Sequence, residues 1–145
     1  MAVCTFFGHS DTPNEIFKSL KAQIISLITD KGVNKFYIGN HGHFDCLARK
    51  VLNELKQEYT HINYLVVLAY MPTKTSDSDL FDYSTAIYPE GLETVPPKFA
   101  IDYRNKWMIR NSDYVITYVT KIVGGAYKYK EIAKRKNKII IELSE

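Results

Sequence analysis

The sequence predicts an α/β protein with a Rossmann-like fold, in which an open, mainly parallel sheet carries helices on both faces. Three observations lead to this prediction. Apolar, β-branched runs alternate with amphipathic helical patterns along the whole chain, which is typical of βαβ units joined by right-handed crossovers. Residues 64–69 are apolar throughout, as expected of a strand that is covered on both faces. Glycine-bearing turns follow several of the strands.

The composition is that of a single globular domain covering residues 1–145. The chain has 46% hydrophobic residues and a net charge of +3, which excludes a disordered chain and does not by itself indicate a nucleic-acid-binding protein. Its two cysteines, Cys4 and Cys46, show no metal or redox spacing. No apolar run is long enough to span a membrane and no signal peptide is recognisable, so we expect a cytoplasmic protein without membrane contact.

The first half of the chain consists of two predicted strand–helix units. Residues 3–7 form an apolar strand, and Asn14 is placed to cap the helix that follows. Residues 36–38 form the second strand and run into a turn with two glycines. The two helices of this half place the following apolar residues on one face each: Ile16, Leu20, Ile24, Leu27 and Ile28, then Leu47, Ala48, Val51, Leu52 and Leu55.

The second half begins with the apolar strand 64–69, after which the regular pattern of strands and helices is interrupted. Residues 70–97 contain prolines and an acidic cluster, and loops of this length are often lids or binding loops. A short strand is predicted within residues 85–88 of this stretch. A third helix follows, with Phe99, Tyr103 and Trp107 at helical spacing, and then a strand at 114–119, a fourth helix and a last strand at 139–143.

A ligand crevice is expected at the carboxyl ends of the strands, because open parallel sheets bind ligands there. The start of the fourth helix would expose unpaired N–H groups, and Gly124 and Gly125 would let an anion approach them closely. Two glycines alone are equally consistent with a tight turn, but three glycine-bearing loops converge on this edge and favour a phosphate-bearing ligand. The expected ligand contacts are Gly8, His9, Ser10, Gly39, Gly42, Asp45, Gly124, Gly125, Tyr127 and Lys128.

We predict no metal and no cofactor. The spacing of His9, His41 and His43 matches no standard metal site, so these side chains are expected to form hydrogen bonds. Asp45 fits a helix cap as well as a contact with a ribose.

Four motifs, in order along nearly the whole chain, resemble those of the SLOG superfamily. These are Gly8-His9-Ser10, the turn Gly39-x-x-Gly42-x-Phe44-Asp45, the helix segment Arg104-x-x-x-Met108, and Gly124-Gly125-x-Tyr127-Lys128-x-x-Glu131. The superfamily is a Rossmann-like group that includes the LOG phosphoribohydrolases, the DNA-uptake protein DprA and the YpsA-like proteins. The resemblance implies a single SLOG-like domain that binds a nucleotide.

The resemblance also implies catalytic roles for Arg104 and Glu131 if the protein is an enzyme. In LOG enzymes the matching arginine and glutamate serve cleavage of the N-glycosidic bond of a nucleoside monophosphate. A salt bridge between neighbouring helices is the structural alternative for this pair. The last motif departs from the LOG pattern, since Val123 replaces a proline and Tyr127-Lys128 replaces Gly-Thr, which alters part of the phosphate loop.

Three functions follow from these observations. The first is binding of a nucleotide or nucleotide-derived ligand, for sensing or sequestration. The second is LOG-like hydrolysis, which the altered phosphate loop disfavours. The third is DprA-like DNA binding through the late lysines, which the modest net charge disfavours. We expect a small-molecule nucleotide as partner, together with a homodimer or higher homo-oligomer. The sequence does not identify the base of the nucleotide. It also does not show whether the ligand is turned over or what residues 70–97 do.

Overall fold

A computed structural model describes residues 2–70 and 86–144. Within these residues it contains six strands and four α-helices, together with short 3-10 turns at Leu92–Thr94 and Pro97–Phe99. The strands are Ala2–Gly8 (β1), Val33–Ile38 (β2), Asn63–Val67 (β3), Ala86–Ile87 (β4), Tyr114–Tyr118 (β5) and Ile139–Glu142 (β6), and the helices are Ile16–Asp30 (α1), Gly42–Glu58 (α2), Ala100–Arg110 (α3) and Gly125–Arg135 (α4).

The six strands form one parallel sheet with the order β4-β3-β2-β1-β5-β6. The chain therefore moves outward from β1 in one direction through β2, β3 and β4, and then returns to the other side of β1 with β5 and β6. This order confirms the predicted Rossmann-like α/β fold. It also creates a switch point between the neighbouring strands β1 and β5, where a crevice opens at the carboxyl ends of the strands.

Two apolar layers lie on opposite faces of the sheet. Helices α1 and α2 pack on one face around Phe6 and Phe36, whereas α3 and α4 pack on the other face around Phe7 and Met108. Neighbouring residues of β1 thus point into different layers, since side chains alternate along a strand. Among the described residues, no helix is long and apolar enough to cross a membrane.

Two local predictions differ from the structure. Asn14 does not cap α1, which begins at Ile16 after Glu15 and has no side-chain cap; the Oδ1 atom of Asn14 instead lies 2.6 Å from Nε2 of His43. The third helix begins at Ala100, so Phe99 precedes it and is half exposed. Of the predicted loop 70–97, residues 71–85 lie outside the described part of the chain, and only Ala86 and Ile87 of the predicted strand 85–88 form β4.

Candidate functional site

A cavity of 340 Å³ opens at the switch point of the sheet. The end of β1 forms its floor with Phe7 and Gly8. Its walls are the first turns of α2 and α4 and the face of α3 that runs from Ile101 to Met108. A second, adjoining cavity of 270 Å³ lies along the β2–α2 turn. Asp45 lines both cavities. We refer to the two cavities together as the crevice.

Arg104 is the most deeply buried charged residue of the crevice. Its side chain extends from α3 across the ends of the strands and is 2% exposed. Nη1 donates hydrogen bonds to the carbonyl oxygen of Val67 at 2.9 Å and to Oδ1 of Asn40 at 3.2 Å, and Nε donates to Oδ1 of Asn105 at 2.8 Å. All three acceptors are neutral. Among the described residues no carboxylate lies within ion-pair distance of this guanidinium.

Gly39 separates Arg104 from the nearest carboxylate, that of Asp45. A Cβ atom added at Gly39 would lie 2.7 Å from Oδ2 of Asp45 and 3.2 Å from Nη1 of Arg104. Both charged groups therefore approach this residue closely, but they do not form an ion pair with each other. A side chain at position 39 would displace both groups, which explains why glycine occupies the turn.

The Asp45 carboxylate is partly buried, and its Oδ2 atom accepts the backbone N–H of His41 at 3.2 Å. Burial raises its pKa to about 6, although Arg104 and the His41 hydrogen bond act in the opposite direction. Burial and the positive charge of Arg104 also lower the pKa of His41. The crevice thus contains one strong cation, one carboxyl group that titrates near neutral pH and an imidazole that favours its uncharged form.

The start of α4 forms another wall of the crevice. Gly124 precedes the helix with φ +93°, a conformation that strongly favours glycine, and the first turn of α4 has no acidic residue and no side-chain cap. A Cβ atom at Gly125 would meet only the Tyr129 ring, at 3.9 Å. Gly125 and Ala126 line the 340 Å³ cavity, so the positive end of the helix dipole faces it.

Lys128 lines the same cavity but is held by a carboxylate. Its Nζ atom lies 3.1 Å from Oδ1 of Asp102, which also accepts the hydroxyl of Tyr129 at 2.7 Å, while Lys106 lies 2.9 Å from Oδ2. Burial opposes ionisation of Asp102, but the hydrogen bonds from Tyr129, Lys106 and Lys128 prevail and lower its pKa to about 2. Burial and the bond to Asp102 raise the pKa of Tyr129 to about 12. This cluster fixes α4 against α3.

The residues of the β1–α1 loop mainly hold neighbouring segments together. The backbone N–H of Thr120 donates to Nε2 of His9 at 2.9 Å, which joins this loop to the one after β5. The carbonyl oxygen of Ser10 accepts the N–H of His43, and a Cβ atom at Gly42 would lie 2.8 Å from Cα of Ser10.

The crevice glycines Gly8, Gly39 and Gly42 are closely packed. A Cβ atom at Gly8 would overlap the ring of Phe44. Gly8 nevertheless lines the 340 Å³ cavity, and Gly39 and Gly42 line the adjoining one.

Glu131 lies outside the set of residues that line the crevice. Its carboxylate pairs with Lys134 at 3.6 Å on the same helix, and its side chain is 39% exposed. Tyr127 is also absent from the lining. The structure therefore brings Arg104, Asp45, Gly125 and Lys128 together but does not bring Glu131 to Arg104. The catalytic role of Glu131 stays a prediction that the motif resemblance alone supports.

Sequence reasoning missed two polar residues of the site, Asn40 and Asn105. Asn40 lies two residues after the end of β2, within the glycine-bearing turn, and Asn105 is the neighbour of Arg104 in the sequence, so both positions carried a signal. Tyr129 follows the glycine pair at helical spacing but packs against Phe7 with ring centroids 5.4 Å apart. Among the described residues, no group of three or more His, Cys, Asp and Glu could hold a metal ion.

Comparison with known proteins yields a structural similarity without a sequence relationship. No protein-family model matches the chain, and no curated protein matches it. The fold is similar to the X-ray structure of DNA processing protein A (DprA) from Streptococcus pneumoniae, with a TM-score of 0.73 and 16% identity. The match covers 100% of this chain and 51% of the DprA chain, so the present chain spans about half the length of that protein. DprA has the SLOG-type Rossmann-like fold.

Proposed function

We propose that this chain is a SLOG-type domain that binds a nucleotide or nucleotide-derived anion in the crevice without turning it over. The observation that carries the proposal is the buried, unpaired guanidinium of Arg104. A buried charge without a counter-ion is costly, and proteins normally pair such a group. An anionic ligand in the 340 Å³ cavity would supply the missing negative charge.

The first turn of α4 supports a phosphate as the anionic group. Helix starts leave backbone N–H groups without intrahelical partners, and the helix dipole favours negative charge beside them. Gly125 leaves open space in front of this turn, and no acidic residue of the first turn competes for it. Arg104 and the start of α4 therefore offer two independent anion-binding features to one cavity.

The four motifs and the fold of DprA together favour membership of the SLOG superfamily. The motifs are too short to establish a family when taken alone, and the structural similarity taken alone shows only a shared fold. The motif residues Gly8, Gly39, Arg104 and Gly125 line the crevice at the carboxyl edge of the sheet, which supports the proposal.

The arrangement of carboxylates favours binding over hydrolysis. N-glycosidic cleavage of the LOG type needs a carboxylate close to the reacting sugar carbon. Asp45 is the only carboxylate among the described residues that line the crevice, and Glu131 pairs with Lys134 elsewhere on α4. The LOG-like hydrolase thus remains the less favoured alternative.

Titration with a panel of nucleoside monophosphates (AMP, GMP, CMP and UMP) tests the proposal, with free base measured by chromatography. We expect the wild type to bind at least one of them and to release no base. We expect Glu131→Gln to bind equally well, because this side chain does not line the crevice. Mass spectrometry of small molecules released from the denatured protein would identify a ligand retained during purification.

Two results would contradict the proposal. Base released by the wild type but not by Glu131→Gln would show a LOG-like hydrolase. A wild-type protein that neither binds any of these nucleotides nor retains one during purification would reject nucleotide binding as the function.

DNA binding of the DprA kind is a second candidate, favoured by a basic groove at the ends of α3 and α4. This groove has a volume of 450 Å³ and is lined by Lys106, Arg110, Arg135 and Lys136 above an apolar base. Only Lys106 of these cations forms an ion pair within the described part of the chain. The groove lies at the opposite edge of the sheet from the crevice, because the carboxyl ends of α3 and α4 lead directly into the amino ends of β5 and β6.

Fluorescence anisotropy with a labelled single-stranded oligonucleotide tests this candidate. If the groove contacts phosphates, Arg135→Ala weakens binding and reduces the salt slope by about one, since each neutralised phosphate releases roughly one counter-ion. Lys18→Ala is the matched control, because Lys18 is exposed on α1 at the other face of the sheet. Equal effects of the two substitutions, or no binding at all, would reject the groove as a DNA site.

A further inference from the structure

The sheet has two edges of unequal length in the described part of the chain. The β4 edge has two residues, whereas β6 has four and pairs only with β5. The outer edge of β6 is apolar in its centre, with Ile139 55% exposed and both Ile140 and Ile141 partly buried. We call residues 138–142 the β6 edge.

The direction of the backbone groups along the β6 edge follows from two hydrogen bonds. The N–H of Ile139 donates to Asp113 O at 3.1 Å, and the N–H of Leu143 donates to Thr117 O at 2.8 Å. Backbone groups alternate in direction along a strand, so the N–H and C=O groups of Ile140 and Glu142 face away from β5. The unpaired N–H and C=O groups of an open edge can form hydrogen bonds with the backbone of another strand.

The β6 edge is complementary to itself in the antiparallel direction. If two copies pair with Ile140 opposite Ile140, Lys138 of each copy lies opposite Glu142 of the other. Lys138, Ile140 and Glu142 share one face of the strand, because residues two apart do so. Ile139 then lies opposite Ile141 on the other face, which covers the exposed isoleucine.

We propose that β6 pairs antiparallel with β6 of a second copy of this chain, which joins the two six-stranded sheets into one. The outward backbone groups of Ile140 and Glu142 form the new ladder, and two Lys138–Glu142 pairs fix the register. Lys130 already contacts Oε1 of Glu142 within the chain, which leaves Oε2 for Lys138 of the second copy. The contact is short, so the dimer forms in a concentration-dependent manner.

Sedimentation velocity over a series of protein concentrations tests this pairing with charge reversals. Lys138→Glu and Glu142→Lys each place like charges opposite each other twice, and we expect each variant alone to dimerise roughly tenfold more weakly than the wild type. An equimolar mixture of the two variants restores opposite charges at both positions. We therefore expect the mixture to dimerise like the wild type.

Lys136→Glu is the matched control, because this exposed lysine precedes the β6 edge and has no counterpart in the pairing. We expect it to dimerise normally. A wild type that stays monomeric, single variants that dimerise like the wild type, or a mixture that stays as weak as its components would each overturn the proposal.

Ile140→Pro provides a second test that does not depend on charge. The N–H of Ile140 faces outward, so proline removes an inter-copy donor and leaves the donors to β5 in place. We expect loss of dimerisation with retention of the far-ultraviolet circular dichroism spectrum. A folded Ile140→Pro protein that dimerises normally would place the interface elsewhere.

Discussion

Arg104→Gln is expected to weaken binding of a nucleoside monophosphate by about 10- to 100-fold. The substitution removes a charge-assisted contact worth about 1.5–3 kcal/mol, and each 1.4 kcal/mol corresponds to a tenfold change in Kd. Glutamine retains part of the hydrogen bonding toward Val67 and Asn40, so the sheet edge keeps some of its support. Titration calorimetry with the tightest nucleotide of the panel measures the effect.

Arg110→Gln is the matched control for this prediction. Arg110 lies on the same helix, is exposed and lines the basic groove rather than the crevice. Thermal unfolding of both variants without nucleotide separates a lost contact from a lost fold. A folded Arg104→Gln protein that binds the nucleotide like the wild type would show that this guanidinium serves only to hold the sheet edge.

Asp45→Asn is expected to stabilise the protein by on the order of 2 kcal/mol more at pH 8 than at pH 4.5. The pKa of Asp45 is raised to about 6 in the folded state, above its unfolded value of about 3.9. The folded state therefore binds this proton more tightly, and stability falls as the pH rises from about 4 through 6. Asparagine stays neutral throughout and keeps an oxygen for the N–H of His41.

Chemical denaturation of the wild type and Asp45→Asn at both pH values measures this difference. The other titratable groups near the crevice (His41, Asp102, Tyr129 and Arg104) are present in both proteins, so the difference between the two isolates Asp45. Asp102 titrates near pH 2, below the range, and Tyr129 titrates above it. A difference in stability that is the same at pH 4.5 and pH 8 would contradict a raised pKa of Asp45.

The same variant reports on ligand binding. An anion bound to Arg104 would repel an ionised Asp45 carboxylate nearby, so wild-type affinity should fall above pH 6. Asp45→Asn should lose this part of the pH dependence.

The fold could be predicted from the sequence because its signals are local and repeat along the chain. Apolar runs, helical spacing and glycine turns each occupy a few neighbouring residues, and crossover handedness leaves few topologies for such an alternation. The carboxyl-edge crevice followed from the fold, and Gly8, Gly39, Gly42, Asp45 and Gly125 do line it. The cap assigned to Asn14 was wrong, because its side chain has a tertiary partner in His43 that the local sequence does not reveal.

What the sequence by itself determined was the order of elements and the edge of the sheet at which the crevice opens. Only the tertiary structure decided which charged groups meet there. Arg104 reaches Val67 across 37 positions of sequence, and Lys128 reaches Asp102 across 26. Glu131, two positions beyond Tyr129, does not line the crevice and pairs with Lys134. Pairing of side chains depends on helix rotation and on distances between segments far apart in sequence, and burial then sets the charge that each group carries.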